Sequence, residues 1–247
     1  MIYIKRWTDF YEELFPADPV QDDFFDSLLA NAQSAQPAKF LSVECGPGNL
    51  SMKLGKKYDV TVTDQFAEFT KIVNEKIVSQ GTKINVFNLN PVDISRFLPK
   101  NHYDVIACLN YRLIFLKDRG LAKKFMLDAY MMLADGGFLV LDLINFSKYD
   151  FSATKIDLPE RRCERATLYS SLIKNTETAN YKLFQHIVTA EGTMIEEVKD
   201  EVVTPISLET FKTAADDMGF TSIDFFSDYN KTPYSLESDR IICLLKK

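Results

Sequence analysis

Apolar positions recur at helical spacing in two short stretches before any strand signal. TDFYEELF reads as an amphipathic helix, with Asp9 and Glu12 in capping-box spacing at its start. A second helix follows Pro19, with Phe24, Phe25, Leu28 and Leu29 on one face. From Lys39 the pattern alternates. A short apolar run KFLSVE gives way to a glycine turn and a helix through Lys57. The β-branched run DVTVT follows, then a helix carrying Phe66, Phe69, Ile72, Val73 and Ile77 at helical spacing. Strand INVF, a short turn at PVDISRF, strand YDVIACL, a helix over 121–133, a stop at Gly136 and Gly137, and strand FLVLDL continue the series. Strands alternating with helices predict a parallel sheet covered on both faces.

After Phe146 the period changes. ERATLYSSLIK, NYKLFQHIVTA and TMIEEVKDEVV read as consecutive strands, the last two joined across Glu191 and Gly192, and predict a small antiparallel sheet. The helix SLETFKTAADDMGF, opened by Ser207 and closed by Gly219, then leads to strands TSIDFF and DRIICLL. No repeat or Gly/Ser linker separates these parts. The expectation is one α/β domain over 1–247, doubly wound, with residues 147–206 as a β insertion.

The chain has 247 residues, 46% hydrophobic and 26% charged, within the range of folded globular domains. Its 29 Lys and Arg against 35 Asp and Glu give a net charge of -6, the wrong sign for a basic duplex-binding face, so no nucleic-acid partner is expected. Cysteines at 45, 108, 163 and 243 show neither zinc-site spacing nor a Cys-x-x-Cys pair, so no metal is expected and free thiols are. The N-terminus lacks an apolar signal core, and the most apolar run, FLVLDLINF, holds Asp142 and is far shorter than the roughly 18 residues a membrane span needs. No membrane association and a cytoplasmic location are the expectations.

The chemistry concentrates in VECGPGNLSMKL. Gly46 and Gly48 fall in a turn between strand and helix, where glycine permits φ above zero and close approach of a ligand to the backbone. Asp64 ends the next strand about 20 residues on, where a carboxylate accepts the hydroxyls of a ribose; the alternative role is a cap for the following helix. Glu44, two residues before Gly46, stands where a dinucleotide would place its pyrophosphate. Like charges about 4 Å apart cost about 4 kcal/mol at an effective dielectric near 20. Pro47 also removes one N–H that a phosphate would use. Glu44 therefore favours a ligand bearing ammonium and sulfonium, S-adenosylmethionine, over NAD, unless it merely caps its own loop.

On these residues the chain resembles the class I S-adenosylmethionine-dependent methyltransferases. The family's first motif, an acidic residue, any residue, then Gly-x-Gly, is matched by Glu44, Cys45, Gly46, Pro47 and Gly48; a third glycine often found there is Leu50 here. The resemblance implies a doubly wound, mostly parallel seven-stranded sheet, Rossmann-like, with S-adenosylmethionine as cofactor and S-adenosylhomocysteine as product. It implies that Asp64 holds the ribose with Gln65 beside it, and that Asp93 and Ile94 of VDIS meet the adenine. Cys108, Leu109 and Asn110 of ACLNYR would lie by the methionine moiety, although Cys108 is equally a small core residue.

The N-terminal FYEELFP and the late GFTSIDFFSDYNKTPYSLESDR resemble the subgroup that methylates small molecules, in which an antiparallel insert after the fifth strand roofs the site. That implies methyl transfer to a nitrogen or oxygen of a small acceptor, with Tyr11, Tyr169, Tyr181, Phe184 and Tyr229 as pocket walls. In-line displacement rests mainly on alignment, worth roughly 7 to 11 kcal/mol of effective molarity, and an amine arriving neutral needs no base. An oxygen nucleophile does, and the two histidines make His186 the first candidate and His102 the second. The rival readings are a methyltransferase-like protein that binds cofactor without turnover, and a nicotinamide-dependent oxidoreductase. The expected partners are a small-molecule acceptor and, optionally, a second copy in a homodimer.

Overall fold

The computed structural model describes residues 4–32, 36–116, 118–175, 180–203 and 205–247. Helix α1 (Ile4–Leu14) begins before the expected cap, so Asp9 and Glu12 lie inside it and do not form a capping box. Helix α2 (Pro19–Ala30) is opened by Asp18, whose carboxylate accepts the Val20 N–H at 2.9 Å, with Pro19 in the first turn where no N–H is needed.

The alternation then runs as read: β1 (Lys39–Val43), α3 (Asn49–Leu54), β2 (Asp59–Asp64), α4 (Ala67–Gln80), β3 (Ile84–Asn88) and β4 (Tyr103–Cys108). It closes with α5 (Arg119–Met132) and β5 (Leu133–Ile144). Gly136 and Gly137 do not stop α5. The chain turns extended at Leu133 and enters β5 at once, and the glycines sit inside that strand, where its pairing with β4 slips from Tyr103↔Leu133 to Val105↔Phe138. A Cβ on Gly137 would come within 2.9 Å of two carbonyl oxygens, those of Ala134 and Asp104, so the bulge requires glycine there.

Helix α6 (Leu208–Met218), capped by Ser207 and ended by Gly219 at φ +91, precedes β11 (Ser222–Phe226) and β12 (Arg240–Lys246). The main sheet has the order β11-β12-β5-β4-β1-β2-β3, with β12 antiparallel to both of its neighbours. One face is covered by α2, α3 and part of α4 over Phe40, Val60, Val62 and Val105; the other by α5 and α6 over Leu41, Ile106, Leu139 and Leu141. Strand sides alternate in this way because successive side chains point to opposite faces.

Between β5 and α6 the insertion forms a second sheet. Strands β6 (Lys155–Asp157), β7 (Arg161–Arg162), β8 (Ala166–Lys174), β9 (Tyr181–Thr189) and β10 (Met194–Val203) pair antiparallel in the order β10-β9-β8-β6, with β7 also on β8. The short β6 and β7 were not apparent in the apolar pattern. Leu168, Leu172, Leu183 and Ile187 are buried on one face, where they pack with Tyr11 and Leu14 of α1 and with Ile144 and Ile156.

Candidate functional site

The chain leaves β1 toward β2 and β3 on one side and returns to β4 on the other, so β1 and β4 flank the point where strand order reverses. Ligands of open α/β sheets bind beyond the carboxyl ends of the strands at such a point. A cavity of about 390 Å³ lies there, within the usual range for small-molecule sites. Its floor is the β1–α3 turn and the end of β4, with Cys45, Pro47, Gly48, Leu109 and Asn110 on its wall. Tyr11, Phe15 and the α1–α2 connection cover one side, and Tyr229, Arg240 and Arg161 of β7 the other.

The turn is built from three left-handed residues spaced two apart: Glu44 at φ +55, Gly46 at +57 and Gly48 at +74. Gly48 is forced, since a Cβ there would stand 2.8 Å from Val73 Cγ2. Leu50 lies in α3, so the third glycine position of the motif is not there. Set on the left-handed residues, the motif's glycines fall at 44, 46 and 48, and its acidic position falls on Ser42. Glu44 is thus a carboxylate in a glycine slot, a conformation costing an L-residue roughly 1 to 2 kcal/mol.

Arg112 accounts for that side chain. Its guanidinium donates to Glu44 Oε2 at 2.6 Å and stands 3.6 Å from Asp64 Oδ1, and Glu44, Asp64 and Arg112 are 4%, 0% and 2% exposed. Phe66, Phe69 and Phe115 surround the guanidinium, with ring centroids 5.3, 5.7 and 5.3 Å away. Glu44 also accepts from the backbone and side-chain N–H groups of Gln65, at 3.3 and 3.2 Å. Asp64 accepts from the N–H of Gly46 and of Phe66, both at 2.9 Å. Burial pushes the Asp64 carboxyl up to about 7 against the pull of Arg112, with Glu44 adding to the rise. Burial opposes the Arg112 charge, but the two carboxylates outweigh it and hold its pKa above the ordinary value.

The candidate cofactor residues therefore divide. Glu44, Cys45, Pro47, Gly48, Leu109 and Asn110 line the cavity, and the Gly46 turn closes under Tyr11, whose ring would be 3.1 Å from a Cβ on Gly46. Asp64, Gln65, Asp93, Ile94 and Cys108 do not line it. Asp64 is sealed beneath Arg112; Ile94 and Cys108 are core; Asp93 sits at the start of a 3-10 turn with Arg96 at 3.3 Å, outside the cavity. The charge argument drawn from Glu44 also lapses, because Arg112 neutralises it.

Of the expected pocket walls, Tyr11 and Tyr229 reach the cavity and three residues do not. Tyr169 pairs with His186 and Ser171 with Phe184, on the face of the insert opposite Leu168 and Leu183. Tyr169 and His186 stack there at 5.3 Å, and neither they nor Phe184 are among the residues lining the cavity, so His186 is not placed as a base nor Phe184 as a wall. Tyr181 is buried against Phe151 away from the glycine turn, its hydroxyl donating to the Phe151 carbonyl at 2.9 Å. His102 lies at the opposite end of β4, before the strand begins, and is likewise outside.

Several residues that shape the site were not singled out from sequence, among them Phe15, Arg161 and Arg240 on the cavity wall. Arg112 is another. So is Asp142, fully buried on β5, whose Oδ2 accepts from Asn110 N–H at 3.2 Å and Tyr229 O–H at 3.3 Å and faces Arg240 at 3.4 Å. A carboxylate inside the apolar run FLVLDL was the available signal. Burial and the Asp142 charge both push the Tyr229 phenol up; burial pushes Tyr11 up to about 12 and the Cys45 thiol well above its usual range.

No protein-family model and no curated protein matches the sequence. Solved structures do match. An S-adenosylmethionine-dependent methyltransferase from Clostridium acetobutylicum is similar with a TM-score of 0.77 at 18% identity, over 98% of this chain and 97% of that one. CalS10 from Micromonospora echinaspora, an amino pentose methyltransferase solved with the cofactor bound, matches at 0.66 and 14%, over 100% and 99%. KedS8 from Streptoalloteichus, a sugar N-methyltransferase, matches at 0.63 and 14%, over 100% and 94%. The fold is that of the S-adenosylmethionine-dependent methyltransferases. In this methyltransferase fold the open cavity by the 45–48 turn and Asn110 has room for part of such a cofactor. Asp64, which the resemblance makes the ribose acceptor, is shut off from that cavity by Arg112, which stands between it and Glu44.

Proposed function

We propose that the chain transfers a methyl group from S-adenosylmethionine to the amine of a small molecule. The observation that carries this is the cavity at the strand-order reversal, walled by the left-handed turn 44–48 and the end of β4, in a methyltransferase fold. The cofactor supplies a methyl group on a positively charged sulfur, the electrophile of an in-line displacement.

The chain's own residues supply position. Backbone of the 45–48 turn and Asn110 would hold the amino-acid end, and Tyr11, Phe15 and Tyr229 exclude water from the acceptor side. An amine is favoured over a hydroxyl because the groups on the lining that could act as a base are engaged or weak: Glu44 is paired with Arg112, Asp18 caps α2, and the Tyr11 phenol, at about 12, is a poor base at neutral pH. The amino pentose and sugar amine chemistry of CalS10 and KedS8 supports the same class.

The insertion over 147–206 acts as the acceptor-side cover through Arg161, which reaches the cavity while lying over the rings of Phe15 and Tyr111 at 4.3 and 4.9 Å. No helix among the described residues is long and apolar enough to cross a membrane. The test is titration calorimetry with S-adenosylhomocysteine, followed by mass spectrometry of a panel of amines and matched alcohols incubated with S-adenosylmethionine. Binding of S-adenosylhomocysteine with +14 Da on amines alone is expected. Absence of binding by the folded protein overturns the reading.

A further inference from the structure

We propose that Arg112 is a built-in competitor for the cofactor site: it fills the ribose seat between Glu44 and Asp64, and its displacement sets cofactor affinity. This rests on the methyl-transfer reading above. Three observations converge on it. Asp64, the expected ribose acceptor, and its neighbour Glu44 are both bonded to the chain's own N–H groups and face the same guanidinium, at 3.6 and 2.6 Å. The cavity ends at Glu44, and neither Asp64 nor Gln65 borders it. The third is the backbone that delivers Arg112. Asn110 and Tyr111 are consecutive non-glycine residues in the left-handed region, at φ +55 and +62, an arrangement that stores strain and reverses the chain so that residue 112 turns inward.

The movable part is the Arg112 side chain, carried on a segment that is itself fixed. The segment is pinned at one end to β5, where Asn110 N–H and Tyr111 N–H donate to the side chain and carbonyl of Asp142. Beyond it the 3-10 helix (Arg112–Phe115) makes turn bonds, such as Ile114 N–H to the Tyr111 carbonyl at 3.1 Å, and is anchored by Leu113 in the core. Outward rotation of Arg112 would join the ribose seat to the existing cavity and free Glu44 and Asp64 as acceptors. Apparent affinity is then the intrinsic affinity reduced by the fraction of molecules in which Arg112 has left.

The experiment measures S-adenosylhomocysteine affinity by calorimetry for the unmodified protein, Arg112→Ala and Arg112→Met. Alanine vacates the seat, whereas methionine refills it without charge. At least tenfold tighter binding is expected for alanine, with methionine at or below the unmodified level. A merely structural arginine predicts weakening in both. Hydrogen exchange on the unmodified protein covers the case in which the variants fail to fold: saturating S-adenosylhomocysteine should speed exchange at residues 112–116. Unchanged or slowed exchange there in a protein that binds the ligand overturns the proposal. Equal affinities across the three folded proteins refute the competitor and leave the methyl-transfer reading standing. No binding by any of them removes both.

Discussion

Glu44→Gly separates two opposing effects that the structure places on one residue. Glycine relieves the left-handed backbone at φ +55, a gain of roughly 1 to 2 kcal/mol. The same change strips Arg112 of the carboxylate at 2.6 Å and leaves its buried guanidinium 3.6 Å from Asp64. Breaking a buried pair by removing one partner costs about 3 to 5 kcal/mol. Loss of the pair wins, and Glu44→Gly should destabilise the protein by about 1 to 4 kcal/mol. Arg112→Met orphans Glu44 without any backbone relief and should cost the full 3 to 5 kcal/mol or so.

The double variant is less costly than the sum of its parts. It leaves neither a buried guanidinium nor a buried Glu44 carboxylate without a counter-charge, and Met keeps most of the Arg112 volume, while the space left by the Glu44 side chain offsets the backbone relief. Glu44→Gly with Arg112→Met should therefore lie closer to the unmodified protein than the summed single losses, a coupling of several kcal/mol. Urea unfolding at pH 6, where Asp64 is mostly protonated, reads this as a shift in midpoint at constant slope. In a domain of this size each kcal/mol is worth about 2 to 4 °C of Tm. Single-variant losses that simply add in the double variant would refute the account, since they would mean that Glu44 and Arg112 do not depend on each other.

Other outcomes follow from the same geometry. Because burial raises Asp64 from its ordinary 3.8 to about 7, the folded state holds a proton that the unfolded chain has lost; its contribution is full below about pH 4 and disappears as pH rises through 7. Asp64→Asn should flatten that slope in a stability-versus-pH series. Gly48→Ala should cost at least the roughly 1 to 2 kcal/mol of a left-handed alanine, and Val73→Ala, which removes the methyl group 2.8 Å from the new Cβ, should recover part of the loss in thermal unfolding. Arg161→Ala should leave S-adenosylhomocysteine affinity within tenfold, about 1.4 kcal/mol, while raising the acceptor KM, whereas His186→Ala on the outer face of the insert should leave turnover unchanged.

The sheet was legible because strand and helix periods differ. The stretches at β4 and β5 are mostly apolar and β2 is built of Val and Thr, as strands covered on both faces tend to be, and the helices between them carry apolar stripes. The α5–β5 junction was misread for a local reason: a glycine pair serves equally as a helix stop and as a bulge, and only the pairing with β4 distinguishes them. In the insert the alternation was available and unused. With Leu168, Leu172, Leu183 and Ile187 inward, a period of two sends Tyr169, Phe184 and His186 outward. Arg112 was beyond reach, since a charged residue shortly after a strand reads as solvated until two left-handed residues turn it inside.

The two departures from the methyltransferase motif explain each other. Three left-handed residues at 44, 46 and 48 define the turn, so a carboxylate at 44 costs backbone strain and places a charge where the motif has no side chain. Ser42, in the motif's acidic position, supplies a neutral hydroxyl instead. A lone charge at Glu44, buried beside Asp64, would be untenable: two carboxylates there repel each other, and burial raises the cost further. Arg112 makes the arrangement stable, and Phe66, Phe69 and Phe115 make Arg112 tolerable by stacking its guanidinium in a shell that water does not reach. The same triad that repairs the turn closes the ribose seat. Stability and cofactor access at this site are therefore opposed, and a substitution that loosens Arg112 should trade one for the other.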